Sequence, residues 1–294
     1  MADGLVFGLF AAIMWGLTDI CAALASRRSG GLTTAAVVQL SSLGGLYGFA
    51  FATQGRLDFA SPVVPGAVAM GLVSAVSYLT FYVALRLGPI AVVSPVGSAY
   101  GAVAVVLSVV LLGERLSGIQ AVGAALATAG VLLVSVRFGR GVRATRLVGP
   151  GIPFVVVALL AWGFMTVGIA ALVRGAELMP ILLVVRTTNA LAIWATVAVR
   201  APLDRRRPDP SRAIALTPRG VGLALAAGGL DIAGYVAYAT GLQVSLAWLV
   251  GLSSSFGPAV AFLFAIVFLG DRLRLAQWLG LASLGAGVVL VGLR

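Results

Sequence analysis

The sequence contains no lysine and no histidine, and its single cysteine is Cys21. One cysteine cannot form a disulfide within the chain, and without histidine the chain lacks the ligands of a zinc site and the pair of a Cys–His nucleophile. We therefore expect no metal and no cofactor. Cys21 lies in an apolar segment, where a small residue that packs between helices is the simplest interpretation.

Charge is scarce as well. Charged residues make up 10% of the 294 positions and hydrophobic residues 61%, whereas a soluble domain carries about 25% charged residues. So much apolar surface indicates that lipid surrounds most of the chain. The net charge of +11 comes from arginines that stand singly or in short groups between apolar runs, so we expect no nucleic-acid partner.

Ten apolar runs reach the length of about 20 residues that a membrane-spanning helix needs. They cover about 4–25, 32–53, 64–84, 89–112, 118–136, 149–172, 178–199, 220–240, 243–269 and 275–293. The first run has only Asp3 charged before it, without the basic start of a cleaved signal, so we expect it to be a retained helix. The sequence predicts an all-α integral membrane protein with ten transmembrane helices.

A long internal repeat divides the chain. Residues 113–136 recur without a gap as residues 270–293, with eleven identical positions at an offset of 157. Upstream, an offset of 147 aligns Trp15-Gly16 with Trp162-Gly163, and the change of offset falls in the long connector 200–219. Such a repeat indicates two homologous halves, which we place at residues 1–146 and 147–294.

Five helices per half is an odd number, so the second half enters the membrane from the opposite side. The result is a pair of inverted five-helix repeats, an architecture of transporters with the solute site near the membrane midplane. Fifteen arginines lie in the odd-numbered connectors and four on the other face. By the positive-inside rule, the odd-numbered connectors are expected in the cytoplasm and both termini in the periplasm.

Two paired motifs carry a family resemblance. The Trp-Gly pairs in helices 1 and 6, together with the turns Gly113-Glu-Arg-Leu and Gly270-Asp-Arg-Leu, resemble the drug/metabolite transporter superfamily, EamA type. Within it the chain looks most similar to aromatic amino acid exporters of the YddG type. This resemblance implies export from the cytoplasm across a bacterial inner membrane.

Three ionisable residues lie well inside apolar runs: Asp19, Arg186 and Asp231. A charge at bilayer depth costs about 2.5–3.5 kcal/mol on insertion scales, so each should face water or a partner. A structural Asp–Arg pair that locks two helices is one interpretation, and contact with a charged solute or a coupling proton is the other. The repeat aligns Arg186 with Gln39 and Asp231 with Ser74, which would give a cavity with asymmetric charge.

Aromatic residues recur in helices 1, 3, 6 and 8 at aligned or neighbouring positions. For any single ring, contact with lipid is the commoner explanation, but a mid-span tyrosine needs a hydrogen-bond partner, which favours an interior position. We therefore predict that solute-binding residues line a central cavity. The predicted set is Trp15, Asp19, Gln39, Tyr78, Tyr82, Tyr100, Trp162, Arg186, Asp231, Tyr235 and Tyr238.

Helices 4 and 9 contain residues that interrupt a helix. These are Pro95, Gly97, Gly257 and Pro258, and serine hydroxyls nearby could satisfy the freed backbone groups. Members of the superfamily typically have a proline twelve residues before the Gly-Glu-Arg-Leu turn, where the first half has Gly101. A static kink and a hinge that opens the cavity are both compatible with this pattern.

The predicted function is solute transport by alternating access through a central cavity between the two repeats. Large faces of aromatic rings beside an arginine and a carboxylate suit amino acids with large apolar or aromatic side chains and related metabolites. The alternatives are a broad drug/metabolite exporter of another solute class, a channel, or a membrane-embedded enzyme. We expect a small-molecule solute and the lipid bilayer as partners, and a monomer suffices for this mechanism.

Overall fold

The structure is a computed structural model that describes residues 2–29, 31–53, 59, 61–87, 93, 96–135, 150–204, 217–257, 259–260, 263 and 275–293. Within these residues it contains ten α-helices and no strand. In chain order they are α1 (Ala2–Ser29), α2 (Gly31–Thr53), α3 (Val64–Leu87), α4 (Tyr100–Leu112), α5 (Gly118–Ser135), α6 (Ile152–Val173), α7 (Leu178–Asp204), α8 (Pro218–Val244), α9 (Ala247–Ser254) and α10 (Leu275–Gly292).

Local sequence explains several helix ends. Gly113 adopts φ +65° after α4, a left-handed conformation that glycine reaches without a steric penalty and that commonly ends a helix. Ser117 and Gln120 then form a capping box at the start of α5, with mutual bonds of 3.0 and 3.3 Å. At the start of α8 the Thr217 hydroxyl accepts from the Gly220 amide at 3.2 Å, as an N-cap does.

Seven of the described helices are long and apolar enough to cross a membrane, and α4 and α5 are shorter apolar helices. The prediction of an all-α integral membrane fold built from two inverted five-helix repeats is confirmed. Helix α7 extends to Asp204, beyond the predicted end at 199, because a helix need not stop where its apolar run ends.

Helix packing follows the repeat. Helix α1 packs on α8 as α6 packs on α3, and α2 packs on α8 as α7 packs on α3. The pair α1–α9 likewise matches α6–α4, whereas α4–α9 and α5–α10 are pairs of equivalent helices. Exchanging the two halves therefore leaves these principal contacts in place, as a two-fold axis through the α4–α9 and α5–α10 contacts requires.

The α5–α10 contact brings two backbones together. A Cβ at position 130 would lie 2.5 Å from the Leu284 nitrogen, and one at position 287 would lie 2.5 Å from the Ala127 nitrogen. Glycines Gly130 and Gly287 are repeat equivalents, so the same close approach occurs on both sides of the axis. Small residues that allow backbones to meet are typical of helix pairs in membranes.

Two faces can now be distinguished by their connectors. The terminal face carries both chain termini and the connectors that follow α2, α4, α6 and α8. We call the opposite face the arginine-rich face, because the sequence predicts fifteen arginines in its connectors. The main buried core lies between α1, α2, α3, α6, α7, α8 and α9, and the predicted site residues lie on these helices and on α4.

Candidate functional site

Three rings from two helices surround Trp162 of α6. The Tyr78 ring meets it edge-on at 5.6 Å between centroids, Phe81 is tilted at 5.1 Å, and Tyr100 is tilted at 6.1 Å. These are the distances of favourable aromatic pairs. Helices α3, α4 and α6 thus bring three predicted site residues and one further ring together.

A second aromatic pair mirrors this cluster. Trp15 of α1 lies 5.3 Å from the Tyr238 ring of α8, and the repeat aligns these two residues with Trp162 and Phe81. Sequence reasoning did not select Phe81, because phenylalanine carries no polar group that would mark it as interior. Its alignment with Tyr238 was the signal that could have found it.

The tyrosine hydroxyls are engaged to different extents. Tyr238 of α8 donates to Thr166 Oγ1 of α6 at 2.6 Å within the second half, and Tyr100 Oη is 3.1 Å from Ser254 Oγ across the two halves. The buried Tyr235 hydroxyl has no hydrogen-bond partner in the part of the chain that the structure describes. The side chain of Tyr82 lies outside the described residues.

A buried ion pair joins two of the predicted residues. Arg186 of α7 pairs with Asp231 of α8, and both residues are less than a tenth exposed. Ser42 of α2 donates to Asp231 Oδ2 at 2.6 Å and accepts from Arg186 Nη2 at 2.9 Å. The guanidinium carbon also lies 5.1 Å from the centre of the Tyr235 ring, within cation–π range. The two charges satisfy each other.

The other half holds a neutral version of this cluster. Asn189 Nδ2 donates to Ser74 Oγ at 2.7 Å, and the repeat aligns Asn189 with Ser42 and Ser74 with Asp231. Gln39, which aligns with Arg186, is half-buried. The Asn189 Oδ1 atom is buried, and no hydrogen bond to it is found among the described residues. Sequence reasoning missed Ser42 and Asn189, although each aligns with the other in the repeat.

Asp19 stands apart from the ion pair. It is exposed, and so is Ala23 one turn further along α1. Their repeat equivalents on α6, Thr166 and Ala170, are both 0% exposed. Asp19 and Ala23 lie in the half of the protein towards the arginine-rich face, and Thr166 and Ala170 in the half towards the terminal face. We call the part of the protein towards the terminal face the terminal side, and the part towards the arginine-rich face the arginine-rich side. The terminal side is packed at positions whose repeat equivalents on the arginine-rich side are open.

The fourth helix of each half is interrupted at the same place. The Ala99 amide donates to Val96 O at 3.1 Å, and the aligned Phe256 amide donates to Ser253 O at 3.4 Å. One turn later the Ala102 amide donates to Ala99 O at 3.0 Å, and the aligned Ala259 amide donates to Phe256 O at 2.9 Å. These short-range bonds replace part of the regular α-helical ladder, so both helices have an intrinsic break.

The predicted hinge residues lie beside these breaks. Gly97 and Gly257 are buried, within two positions of Ala99 and Phe256 respectively, while Pro95 and Pro258 lie outside the described residues. At the α4–α9 crossing, a Cβ at Gly101 would lie 2.5 Å from Ser255 Oγ. The two broken helices thus meet closely next to their breaks.

The comparison with protein families adds a decisive observation. The model of the EamA-like transporter family matches the chain twice, over residues 2–136 and 149–293. The chain belongs to the EamA-like transporter family. A crystal structure of a protein is similar over 99% of this chain and 98% of that chain, with a TM-score of 0.76 and 20% sequence identity, which shows the fold alone. No curated protein matches the sequence significantly.

In this EamA-like transporter the motif turn after α4 joins neighbouring elements at the terminal face. The buried Glu114 carboxylate pairs with Arg174, which follows α6. It also accepts from the amides of Ala247 at 2.8 Å and Trp248 at 3.1 Å, the first residues of α9. A carboxylate at a helix N-terminus satisfies free amides and meets the positive end of the helix dipole.

Arg174 extends the same network. Its guanidinium donates to Ser245 O at 2.8 Å in the connector between α8 and α9, and to Leu242 O at 3.4 Å in the last turn of α8. Glu114 and Arg174 therefore tie three connectors of the terminal face together across the two halves. Neither residue was in the predicted site, and the fixed place of the glutamate in the repeated turn was the available signal.

Proposed function

We propose that the protein exports amino acids with large apolar or aromatic side chains, and related metabolites, by alternating access through a cavity between its two repeats. The membrane protein belongs to a family of transporters, which supports a solute carrier over the enzyme and channel alternatives. The proposed solute-binding residues are the eleven predicted from the sequence. Repeat boundaries at residues 146 and 147 remain part of the proposal.

The observation that carries the proposed substrate is the aromatic cluster around Trp162. Tyr78, Phe81 and Tyr100 surround it, and the pair of Trp15 and Tyr238 mirrors it in the other half. A flat apolar side chain that takes the place of one of these rings would keep edge-on and tilted contacts, each contributing about 0.5–1.5 kcal/mol. Sugars and other small hydrophilic solutes would gain little from such surfaces.

Three observations support alternating access. The terminal side is packed at Thr166 and Ala170, whereas the arginine-rich side is open at Asp19 and Ala23. The Glu114 network ties the connectors of the packed face together. The matched breaks in the fourth helices provide a place where each half can bend. We propose that the packed side opens and the open side becomes packed when the solute crosses.

The charge distribution supports an orientation. Fifteen arginines against four favour a cytoplasmic arginine-rich face and periplasmic termini. The open side would then face the cytoplasm, from which an exporter binds its solute. We propose the bacterial inner membrane as the location.

The test is counterflow of radiolabelled phenylalanine in proteoliposomes that contain the purified full chain. Replacing two neighbouring rings, Tyr78→Ala with Trp162→Ala, should lower phenylalanine flux well below that of either single variant, because each ring contact contributes separately. Trp278→Ala is the matched control, since this tryptophan lies on α10 and is 58% exposed. It should leave flux unchanged.

Other solutes decide between the remaining alternatives. Leucine and tryptophan should compete with phenylalanine, whereas glucose should not. If the double variant transports phenylalanine normally and small hydrophilic solutes are preferred, the aromatic proposal is wrong. A broad drug/metabolite exporter would then be the better account of the same fold.

A further inference from the structure

Asp19 lies on the interior side of α1. The exposed large apolar residues of this helix, Val6, Phe10, Ile13 and Leu24, form one stripe at helical spacing, which is the side that faces lipid. At 100° per residue, Asp19 is about 140° around the helix from the middle of that stripe. The carboxylate is thus exposed on the side of α1 that its neighbours pack against.

Depth within the protein gives the same result. The residues beside Asp19 contact other helices of the interior: a Cβ at Gly16 would lie 2.8 Å from Gly257 O, and Thr18 Oγ1 donates to Ala227 O at 3.4 Å. A carboxylate that is both deep and exposed faces an internal opening. Because a charge in lipid costs about 2.5–3.5 kcal/mol, an opening that holds water is the physically reasonable environment.

The charge of Asp19 is not balanced within the described part of the chain. No hydrogen bond or ion pair reaches its carboxylate there, because Arg186 is paired with Asp231 and Ser42 and Arg174 is paired with Glu114. The position that the repeat aligns with it, Thr166, is neutral. Among the described residues, the negative charge of Asp19 is therefore not balanced by a cation, and the interior Arg186 is already paired.

A positively charged group is the complement of this arrangement. Trp15 lies one helical turn from Asp19 on the same side of α1, so a cation at the carboxylate would also lie near an aromatic face, a combination that favours ammonium groups. A carboxylate on the solute would have to compete with Asp231 for Arg186. The solute's amino group is therefore recognised more readily than its carboxylate.

From this arrangement we infer that Asp19 selects solutes that carry a protonated amine beside a large apolar or aromatic group, and that a carboxylate on the solute is dispensable. This inference rests on the proposed transport function and deepens it. The substrate class becomes ring-bearing amines, of which aromatic amino acids are the members that also carry a carboxylate. A ring-bearing acid without an amine is excluded.

Three compounds that share one ring separate these cases in proteoliposomes. Phenylalanine carries both charges, phenethylamine only the amine, and 3-phenylpropionate only the carboxylate. We expect the wild-type protein to exchange phenylalanine and phenethylamine but not 3-phenylpropionate. Asp19→Asn should lower exchange of both amines by about tenfold or more, since tenfold corresponds to 1.4 kcal/mol, the scale of one charge-assisted contact.

Asp3→Asn is the matched control, because it makes the same chemical change in an exposed residue near the start of the same helix and should leave exchange unchanged. Exchange of phenylalanine and 3-phenylpropionate without phenethylamine would overturn the inference. Wild-type exchange of both amines by Asp19→Asn would also overturn it.

Failure of the transport proposal gives a different result. If the wild-type protein exchanges none of the three compounds, the aromatic substrate class is wrong, and the charge preference is then measured by binding. Methylammonium, but not acetate, should raise the apparent Tm of the purified wild-type protein and not that of Asp19→Asn. Equal shifts by both ions, or no shift with either, would overturn the role of Asp19.

Discussion

At the scale of single residues, one half of the protein carries a charged pair where the other is neutral. Arg186 and Asp231 form a buried ion pair bridged by Ser42, and their equivalents are Gln39 and Ser74. Buried ion pairs rarely add net stability over neutral groups, but removing one partner leaves an uncompensated charge. The pair is thus a constraint that both residues must satisfy together.

Arg186→Gln copies the other half, and from the sequence alone it is expected to fold almost normally. The ion pair changes that expectation, because the variant leaves the Asp231 carboxylate buried without its cation. We expect a loss of about 3–5 kcal/mol, the usual cost of breaking a buried pair from one side. The measurement is the apparent Tm of the purified protein in detergent.

The double variant Arg186→Gln with Asp231→Ser is the matched control. It reproduces both neutral residues of the first half and removes the buried charge, so it should recover most of the lost apparent Tm. A single variant as stable as the wild type would show that Arg186 is not a structural lock, and solute contact would then be its remaining proposed role.

The sequence predicts which residues are interior better than it predicts their partners. Trp15, Trp162, Tyr78 and Tyr238 could be selected because rings and repeat register mark them, and the structure brings them together in two clusters. The choice of Asp231 over Asp19 as partner of Arg186 depends on how α7 and α8 are packed. No spacing along the chain contains that information.

At the scale of elements, the fourth helices decide how closely the two halves approach. Helix α4 begins at Tyr100, just after the break at Ala99, and helix α9 ends at Ser254, just before the break at Phe256. The breaks of the antiparallel helices meet near Gly101 and Gly251. A side chain at this crossing would separate the two halves beside the break in each helix.

Gly101→Val is expected to disrupt this crossing. Its Cβ would lie 2.5 Å from Ser255 Oγ and 3.1 Å from Gly251 O, and the latter is backbone that cannot rotate away. Overpacking of this kind costs about 1–3 kcal/mol, so we expect a lower apparent Tm and slower phenylalanine counterflow. Gly44→Val is the control, because no atom lies within 4 Å of a Cβ at that position. Equal effects of the two variants would contradict the crossing geometry.

Helix boundaries illustrate what remained beyond sequence reasoning at this scale. The glycines and prolines near positions 97 and 257 predict an interruption, but they leave its register open. The break falls at Ala99 and Phe256, residues with no special backbone preference, because the two crossing helices must approach each other there. Tertiary packing thus determines the position of a feature that local sequence only permits.

At the scale of the whole molecule, the terminal side and the arginine-rich side differ in how exposed equivalent residues are. Ala23 of α1 is exposed towards the arginine-rich face, and its equivalent Ala170 of α6 is 0% exposed. Helix count, repeat and fold class all follow from the sequence. The sequence does not indicate which side is open, because an inverted repeat is equally compatible with an opening on either side.

Thiol labelling in intact cells measures this difference. In a Cys21→Ala background, Ala23→Cys should react with a permeant maleimide but not with an impermeant one, because the open side is proposed to face the cytoplasm. Ala170→Cys should react with neither. Adding Glu114→Gln, which weakens the closure of the terminal face, should make Ala170→Cys reactive to the impermeant reagent.

Asp3→Cys in the same background reports the orientation. It lies at the terminal face and should react with the impermeant maleimide whether or not Glu114 is changed. If Asp3→Cys reacts only with the permeant reagent, the termini are cytoplasmic and the assigned orientation is wrong. If Glu114→Gln leaves Ala170→Cys unreactive, Glu114 is a helix cap without a role in access.

The hydrogen bond from Tyr238 to Thr166 has a consequence for transport kinetics. The equivalent residues are Phe81 and Asp19, and the phenyl ring offers no donor, so the opposite end state lacks this bond. The two end states then differ in free energy, and apparent affinity is weakened in proportion to the scarcity of the competent state. Half-saturation should therefore occur at lower solute concentration from the arginine-rich side. Detailed balance keeps the ratio of maximal rate to half-saturation equal in both directions, so this asymmetry sets where the carrier saturates, while the solute gradient sets net flow.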